Sequence, residues 1–230
     1  MPTSSDSAES PQHGYRGVAT PPPILTQPAA VCVALSREAG SRGGSIAESI
    51  GRLLGWQVYT QDMIDFLARD DSARSELLAP VPESARFWAD MELAKLTRAR
   101  KLTPQSDAHA VAQMVYTLAA KGQVVLVGRA AGFLLPAATT VHVRIVSPEQ
   151  QRIGYLAQWL RLTQEEAAAE VRTRDRRRAT FLATLSERAI DDPTAYDLVL
   201  NSARLGLDGC AQSVVHAVRS KQQSLAGSSA

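Results

Sequence analysis

Short uncharged runs alternate with longer amphipathic segments from residue 30 onward. The β-branched run AVCVAL, residues 30–35, is typical of a strand buried on both faces of a parallel sheet. Similar stretches predict four more strands: WQVY from residue 56, QVVLVGR from 123, TVHVRIV from 140 and YDLVLN from 196. Strands that alternate with helices predict an α/β fold with a five-stranded parallel sheet covered on both faces.

The segments between the strands have helical periodicity. Ile46, Ile50, Leu53 and Leu54 fall on one helical face, and Gly55 is a typical helix stop. Further helices are predicted, with breaks at prolines, over residues 70–121, 148–188 and 208–222.

The two ends of the chain differ in composition from the region between them. Residues 1–28 contain six of the twelve prolines and almost no large apolar residue, so they cannot bury enough surface to offset the entropy of ordering. We therefore predict a disordered tail at 1–28, a folded domain at 29–222 and a flexible C-terminus at 223–230.

The composition of the chain argues against nucleic acid and membrane as partners. A net charge of +2 is too small to favour nucleic acid, and no apolar run has the length of a membrane span. The N-terminus lacks the apolar core of a secretory signal. Cys32 and Cys210 form no CxxC pair, which favours free thiols in a cytoplasmic protein over a disulfide. The sequence does not determine the oligomeric state, and a homo-oligomer is one of the alternatives.

The loop after the first strand, SREAGSRGGSIA at residues 36–47, has the layout of an anion site. A strand, a glycine-rich loop and a helix start follow one another, and the first N–H groups of a helix are free to bind a phosphate. Gly40, Gly43 and Gly44 allow close approach of the backbone. The Ser45 hydroxyl can cap the helix or coordinate Mg²⁺.

The lysine of the usual G-x-x-x-x-G-K-[ST] motif is missing from this loop. The alternative to a phosphate loop is therefore a glycine-rich turn of another α/β protein. A Rossmann dinucleotide site is one version, with Asp62 near the distance expected of a ribose-binding acid, although the strict G-x-G-x-x-G spacing is absent.

Arginines form a second constellation. Arg129 follows VVLVG at the carboxyl end of a predicted strand, where open α/β sheets bind ligands. In VRTRDRRRATF, residues Arg174, Arg177 and Arg178 share one helical face, and Arg152 can join them. Cations this dense predict a bound anion such as a transferring phosphoryl group. The alternative is a solvated basic helix that pairs with acids such as Glu170.

These pieces, in this order, resemble the cytidylate-kinase-like family of P-loop nucleoside monophosphate kinases over residues 31 to about 218. The family loop typically reads S-R-E-x-G-S-G-G-R-E-I-A, and this chain reads S-R-E-A-G-S-R-G-G-S-I-A. The resemblance implies a P-loop NTPase-like three-layer sandwich with a helical acceptor-binding insert at about 60–120 and a lid at about 150–190. It also implies ATP and Mg²⁺ as cofactors and a small-molecule nucleotide as substrate.

The resemblance also implies roles for particular residues. Arg129 and Arg152 would hold the acceptor phosphate, and Asp62 is the acid after the second strand. Arg174 and Arg177 would close over the transition state with the lid, and Ser45 would bind Mg²⁺. The donor phosphates would lie on the loop residues Gly40, Ser41, Arg42, Gly43, Gly44 and Ser45. Of these residues, Arg42, Arg129, Arg174 and Arg177 are the catalytic candidates.

The chain departs from the family at several of these positions. In the family's register Arg37 replaces the first glycine of the loop and Gly43 replaces the lysine, so Arg37 or Arg42 would have to supply the missing cation. The lost charged hydrogen bond is worth on the order of 1.5–3 kcal/mol. Ala130 stands where true cytidylate kinases have the Asp of G-R-D. Arg178 occupies the position of an Asp that contacts the nucleoside in true cytidylate kinases, and Phe181 occupies the position of an Arg. The strand VVLVGR contains no acidic residue that could serve as a ligand of Mg²⁺.

The leading hypothesis is ATP-dependent phosphoryl transfer to a CMP-like nucleoside monophosphate or a related small acceptor. The altered loop and nucleoside contacts keep a nucleotide-binding regulator without catalysis as the alternative. An NAD(P) oxidoreductase ranks third, because the arginine clusters argue against it.

Overall fold

Five parallel strands form the sheet that organises the molecule. The computed structural model describes residues 30–100 and 102–227. The strands run in the spatial order β2-β3-β1-β4-β5, and every adjacent pair is parallel, which confirms the predicted sheet. This order differs from the 3-2-1-4-5 order of Rossmann dinucleotide-binding sheets. The strands are β1 (Cys32–Arg37), β2 (Gln57–Tyr59), β3 (Val124–Val127), β4 (Thr140–Val146) and β5 (Leu198–Asn201).

Helices connect the strands in the described part of the chain. Helix α1 ends at Gly55, which adopts the left-handed conformation that suits a helix stop. A short 3₁₀ turn at Pro193–Ala195 precedes β5. The α-helices are α1 (Gly43–Leu54), α2 (Gln61–Arg69), α3 (Asp71–Leu78), α4 (Glu83–Arg100), α5 (Asp107–Lys121), α6 (Ala131–Leu134), α7 (Glu149–Leu160), α8 (Gln164–Leu185) and α9 (Ser202–Gly227).

The sheet separates two hydrophobic cores, which gives the three-layer sandwich predicted above. On one face, Leu35 and Val143 pack with side chains of α1 and α9, including Ile46 and Val214. On the other face, side chains of the strands pack with α5 and with the insert helices α2 and α4. Cys32 and Cys210 are both buried and unpaired, as the sequence suggests.

The lid consists of two helices with a small core of their own. The predicted helical stretch 148–188 divides at Arg161, which adopts a left-handed conformation between α7 and α8. Thr163 and Glu166 then form a capping box that starts α8. Ala39 of the phosphate loop packs into the lid core, so the lid lies against the loop.

The last helix is longer than predicted. It begins at Ser202, bends at Gly206 and continues to Gly227, so residues 223–227 are helical although a flexible end was expected there. The tail at 1–28 and the final residues 228–230 lie outside the described residues. No helix in the described part of the chain combines the length and apolarity needed to cross a membrane.

Candidate active site

A cavity of about 850 Å³ opens at the carboxyl ends of β1 and β3, the place where open α/β sheets bind ligands. The phosphate loop, the first turns of α1 and α2 and the turn after β3 line one part of it, and α7 and α8 cover the rest. Most of the site residues predicted from sequence line this one cavity: Gly40, Arg42, Gly43, Gly44, Ser45, Asp62, Arg129, Arg174 and Arg177.

The start of α1 is built as an anion site. Arg42 precedes the helix in a left-handed conformation, and no side chain caps the first N–H groups. Gly40 also has a positive φ of 79°, and a Cβ there would collide with the Arg152 carbonyl. Ser45 lies in the first turn and lines the cavity. The guanidinium of Arg42 lies over the Tyr155 ring, with its Cζ 5.4 Å from the ring centroid.

Ser41 does not line the cavity, although the resemblance assigns it to the phosphate cradle. Its side chain is buried, and its hydroxyl donates to the Glu38 carbonyl at 2.9 Å. Its own carbonyl accepts a hydrogen bond from the Ser202 hydroxyl at 2.9 Å. Ser41 therefore stabilises the conformation of the loop through hydrogen bonds on the side that faces away from the cavity.

Arg37 occupies the space that a side chain at position 43 would need. A Cβ built on Gly43 would lie 2.6 Å from the Arg37 Cβ and 2.9 Å from its Cγ. The guanidinium continues past Gly128 into the cavity, and its NH2 donates to Gln61 Oε1 at 3.2 Å. The stem of Arg37 therefore fills the space beside Gly43 that a side chain at position 43 would need.

Several guanidinium groups converge around Arg37. Burial, followed by the nearby cations Arg178 and Arg129, lowers the pKa of Arg37 to about 9, which leaves it protonated at neutral pH. Burial also lowers the pKa of Arg178, while Asp175 opposes this. Arg178, which the sequence analysis groups with Arg174 and Arg177 without giving it a separate role, also lines the cavity. Positive charge this concentrated favours a multivalent anion.

The lid contributes two further arginines to the cavity. Arg174 Nε donates to Glu170 Oε1 at 2.6 Å, so the ion pair weighed as the alternative from sequence is present. Arg174 nevertheless lines the cavity, and so do Glu170 and the exposed Arg177. The pair restrains Arg174 without removing it from the site.

Arg129 is held by an acid that the sequence analysis missed. Its guanidinium forms an ion pair with Asp65 of α2 and lies over the Phe181 ring, with its Cζ 4.9 Å from the ring centroid. Asp65 follows Asp62 by three residues, so the two acids share a side of α2. This spacing is the signal that could have found it.

Arg152 braces the loop and does not line the cavity. Its NH1 donates to the Ala39 carbonyl at 3.1 Å and to Asp175 Oδ2 at 2.7 Å, and its Nε donates to the Ser147 carbonyl at 3.0 Å. Asp175 also accepts the Ala39 N–H at 2.7 Å. Arg152 and Asp175 therefore tie α7 and α8 to the phosphate loop.

The Ser45 hydroxyl and four carboxylates, those of Glu38, Glu48, Asp62 and Glu170, line this cavity. They are dispersed, and no group of three or more His, Cys, Asp and Glu residues suited to a metal occurs within 30–100 and 102–227. Mg²⁺ in phosphoryl-transfer sites takes many of its ligands from phosphates and water. The Ser45 hydroxyl and one carboxylate fit an ion of that kind.

Known proteins share features of this sequence and fold. The model of the cytidylate kinase-like family matches residues 32–204. A search of curated proteins finds no significant match. The crystal structure of an uncharacterized protein from Eubacterium ventriosum ATCC 27560 aligns with a TM-score of 0.58 at 16% identity, over 83% of this chain and 98% of that chain. At this identity the likeness concerns the fold alone.

Two named kinases align less well. A shikimate kinase from Bacteroides thetaiotaomicron has a TM-score of 0.45 at 12% identity, over 82% of this chain and 98% of that chain. A gluconokinase from Sinorhizobium meliloti 1021 has a TM-score of 0.46 at 13% identity, over 89% of this chain and 100% of that chain.

Proposed function

Because the chain belongs to the cytidylate kinase-like family, we propose that it transfers the γ-phosphoryl group of ATP to a nucleoside monophosphate of the CMP type, or to a related small acceptor. A cytoplasmic location is part of this proposal. Catalysis would rest on positioning and charge neutralisation, without a covalent intermediate.

The exchange of Arg37 for the loop lysine is the observation that carries the proposal. A loop that had lost its lysine and gained nothing would bind phosphate poorly. Here the side chain lost at Gly43 makes room for Arg37, whose guanidinium enters the same cavity. A guanidinium offers planar, bidentate hydrogen bonds to phosphate oxygens, so it can offset the lost lysine contact.

On the donor side, the free N–H groups at the start of α1 bind the phosphates of ATP, and Arg42 adds a cation beside them. The Ser45 hydroxyl, with Asp62 or Glu48 nearby, holds Mg²⁺. When bound, this ion neutralises charge on the donor phosphates.

On the acceptor side, Arg129 holds the monophosphate, and Asp65 keeps its guanidinium in position. Arg37 and Arg178, which lie near each other and line the same cavity as Arg129, stabilise the charge of the transferring group. Arg174 and Arg177, which lie on α8 of the lid, add two further cations to the cavity. Arg152 acts by holding the loop and lid together.

The test is ADP release from Mg·ATP with CMP, dCMP, UMP, AMP, GMP or no acceptor. Acceptor-dependent turnover that falls at least about tenfold in Arg37→Met would support the proposal, since methionine keeps the length of the stem and removes the cation. Saturable ATP binding without turnover on any acceptor would overturn it and favour the nucleotide-binding regulator. Turnover unchanged in Arg37→Met would remove Arg37 from its assigned role.

A further inference from the structure

Two aromatic rings of α7 line the cavity beside the phosphate loop. Tyr155 and Trp159 are four residues apart on this helix, so they share one of its faces. Their rings are stacked, with centroids 6.3 Å apart and an angle of 14° between the ring planes. None of the roles assigned above uses either ring.

Trp159 is supported on one side and open on the other. Tyr155 packs against the small core of the lid and fixes one end of the stacked pair. Trp159 is 62% exposed, although an indole ring has one of the largest apolar surfaces that a side chain can bury. Most of the indole surface is therefore uncovered in the cavity and accessible to a flat ligand.

The aromatic pair lies within reach of a nucleotide whose phosphates are bound at the start of α1. The Arg42 guanidinium lies over the Tyr155 ring, with its Cζ 5.4 Å from the ring centroid, and Trp159 is the next ring along α7. Arg42 also directly precedes the free N–H groups of the helix. A ligand with phosphates on these groups can place a base on the aromatic pair.

The acceptor side of the cavity has other contacts. Arg129, assigned above to the acceptor phosphate, pairs with Asp65 of α2 and lies over the Phe181 ring of α8. The contact of Tyr155 with a cation is with Arg42 of the phosphate loop instead. The position of the aromatic pair therefore favours the donor nucleotide over the acceptor.

We propose that the base of the phosphoryl donor stacks on Trp159, supported by Tyr155, and that the protein accepts purine nucleoside triphosphates without distinguishing adenine from guanine. The proposal rests on the function proposed above, in which the donor phosphates lie on the loop. An aromatic side chain binds the face of a base, which every base presents, and does not read the hydrogen-bonding groups at the edge of the base. Purines offer a larger face than pyrimidines and gain more contact area.

The test measures binding of ATP, GTP, CTP, UTP and inorganic tripolyphosphate by calorimetry with Mg²⁺. Wild-type protein should bind ATP and GTP with affinities within about threefold of each other, and CTP and UTP more weakly. Trp159→Ala should lose about tenfold in affinity for ATP and GTP, which is typical of removing one stacking contact with a base. Tripolyphosphate has no base, so its affinity should be the same for both proteins.

The fluorescence of Trp159 gives a second measurement. A stacked base should quench the indole emission of the wild-type protein, and tripolyphosphate should not. Trp159→Phe keeps a ring for stacking, so it should bind ATP nearly as well as the wild-type protein while the quenching by ATP disappears. Trp56 and Trp88 remain in this variant, and neither lines the cavity.

The matched control is Phe87→Ala, which removes an exposed aromatic side chain of α4 that does not line the cavity. It should keep the wild-type affinity for ATP and the quenching. Unchanged affinity for ATP in Trp159→Ala would overturn the proposal. An equal loss for ATP and tripolyphosphate would also overturn it, because it would show a structural role, and so would a loss confined to CMP.

The selectivity of the wild-type protein is decisive even if Trp159→Ala does not fold. A preference of more than about tenfold for ATP over GTP, or equal binding of all four triphosphates, would overturn recognition by stacking.

The two proposals fail in different ways. Binding of ATP and GTP that depends on Trp159, with no turnover on any acceptor, would overturn the kinase proposal and leave the stacking surface intact. Acceptor-dependent turnover with the same KM for ATP in the wild-type protein and Trp159→Ala would do the reverse. Binding of tripolyphosphate with no binding of any nucleotide would overturn both.

Discussion

The Cβ of Arg37 lies 2.6 Å from the point where a side chain at residue 43 would begin, so an arginine at 37 and a side chain at 43 exclude each other. The loop therefore has room for the Arg37 stem because residue 43 is glycine. A position-by-position comparison with the phosphate-loop motif shows only the missing lysine at residue 43, because it does not relate residue 43 to residue 37. In the structure, Arg37 and Gly43 depend on each other, because a side chain at residue 43 would occupy the space of the Arg37 stem.

Gly43→Ala should inactivate the protein by displacing Arg37. The methyl group collides with the Arg37 stem, and the guanidinium moves away from the phosphates. We expect kcat/KM to fall about 10- to 100-fold, the equivalent of one charged hydrogen bond. Gly154→Ala on α7 is the matched control, since a Cβ there meets nothing within 4 Å. Equal activity in the two variants would refute the displacement.

Asp65→Asn should weaken acceptor binding more than donor binding. The amide removes the charge that holds Arg129, so the KM for the acceptor should rise about tenfold while the KM for ATP stays within about twofold. Asp65→Glu should restore part of the loss. The control is Asp71→Asn, which removes an exposed acid of α3 that pairs with Arg74. A parallel rise of both KM values would show that Asp65 has only a structural role.

Asp175→Ala should loosen the lid. Asp175 accepts hydrogen bonds from Ala39, Arg152 and Arg178. Removing the carboxylate leaves the Ala39 N–H without this acceptor and takes a charged partner from both arginines. Because the side chain is about one-third exposed, we expect a loss of about 1–3 kcal/mol in the free energy of unfolding, measured by urea denaturation. Asp208→Ala, an exposed site on α9, is the control. A loss below about 0.5 kcal/mol would contradict this account.

His142 should make the protein less stable in mild acid. Burial lowers its pKa to about 4 in the folded protein, against 6.5 for an ordinary histidine, so between these values the unfolded chain binds a proton that the folded chain does not. The contribution of His142 is therefore complete above pH 6.5 and is lost as the pH falls towards 4, by about 3 kcal/mol.

His142→Phe should remove this part of the pH dependence. The free energy of unfolding is measured by urea denaturation from pH 7.5 to 4.5 for the wild-type protein, His142→Phe and the control His216→Phe, which changes an exposed histidine of α9. The slope should be shallower in His142→Phe alone. Identical slopes in all three proteins would show that His142 titrates normally.

The sequence by itself determined the local elements. Continuous apolar runs predicted the central strands β1, β3 and β4, because a strand buried on both faces needs such side chains. The shorter stretches WQVY and YDLVLN predicted the edge strands β2 and β5. Glycines after the first strand marked the phosphate loop, since a tight turn before a helix requires them. Arg129 was predicted as a site residue because it follows the carboxyl end of a strand, where parallel sheets bind ligands, and it lines the cavity.

Only the tertiary structure decided which charged side chains form ion pairs with one another. Arg152 and Arg129 look alike in the sequence, yet Arg152 turns into the contact between lid and loop while Arg129 enters the cavity. Asp65 and Asp175 pair with arginines 64 and 23 residues away, and His142 packs against Gly132 of another element. Local periodicity records which face of an element is apolar. It carries no information on which distant side chain is packed against the polar groups.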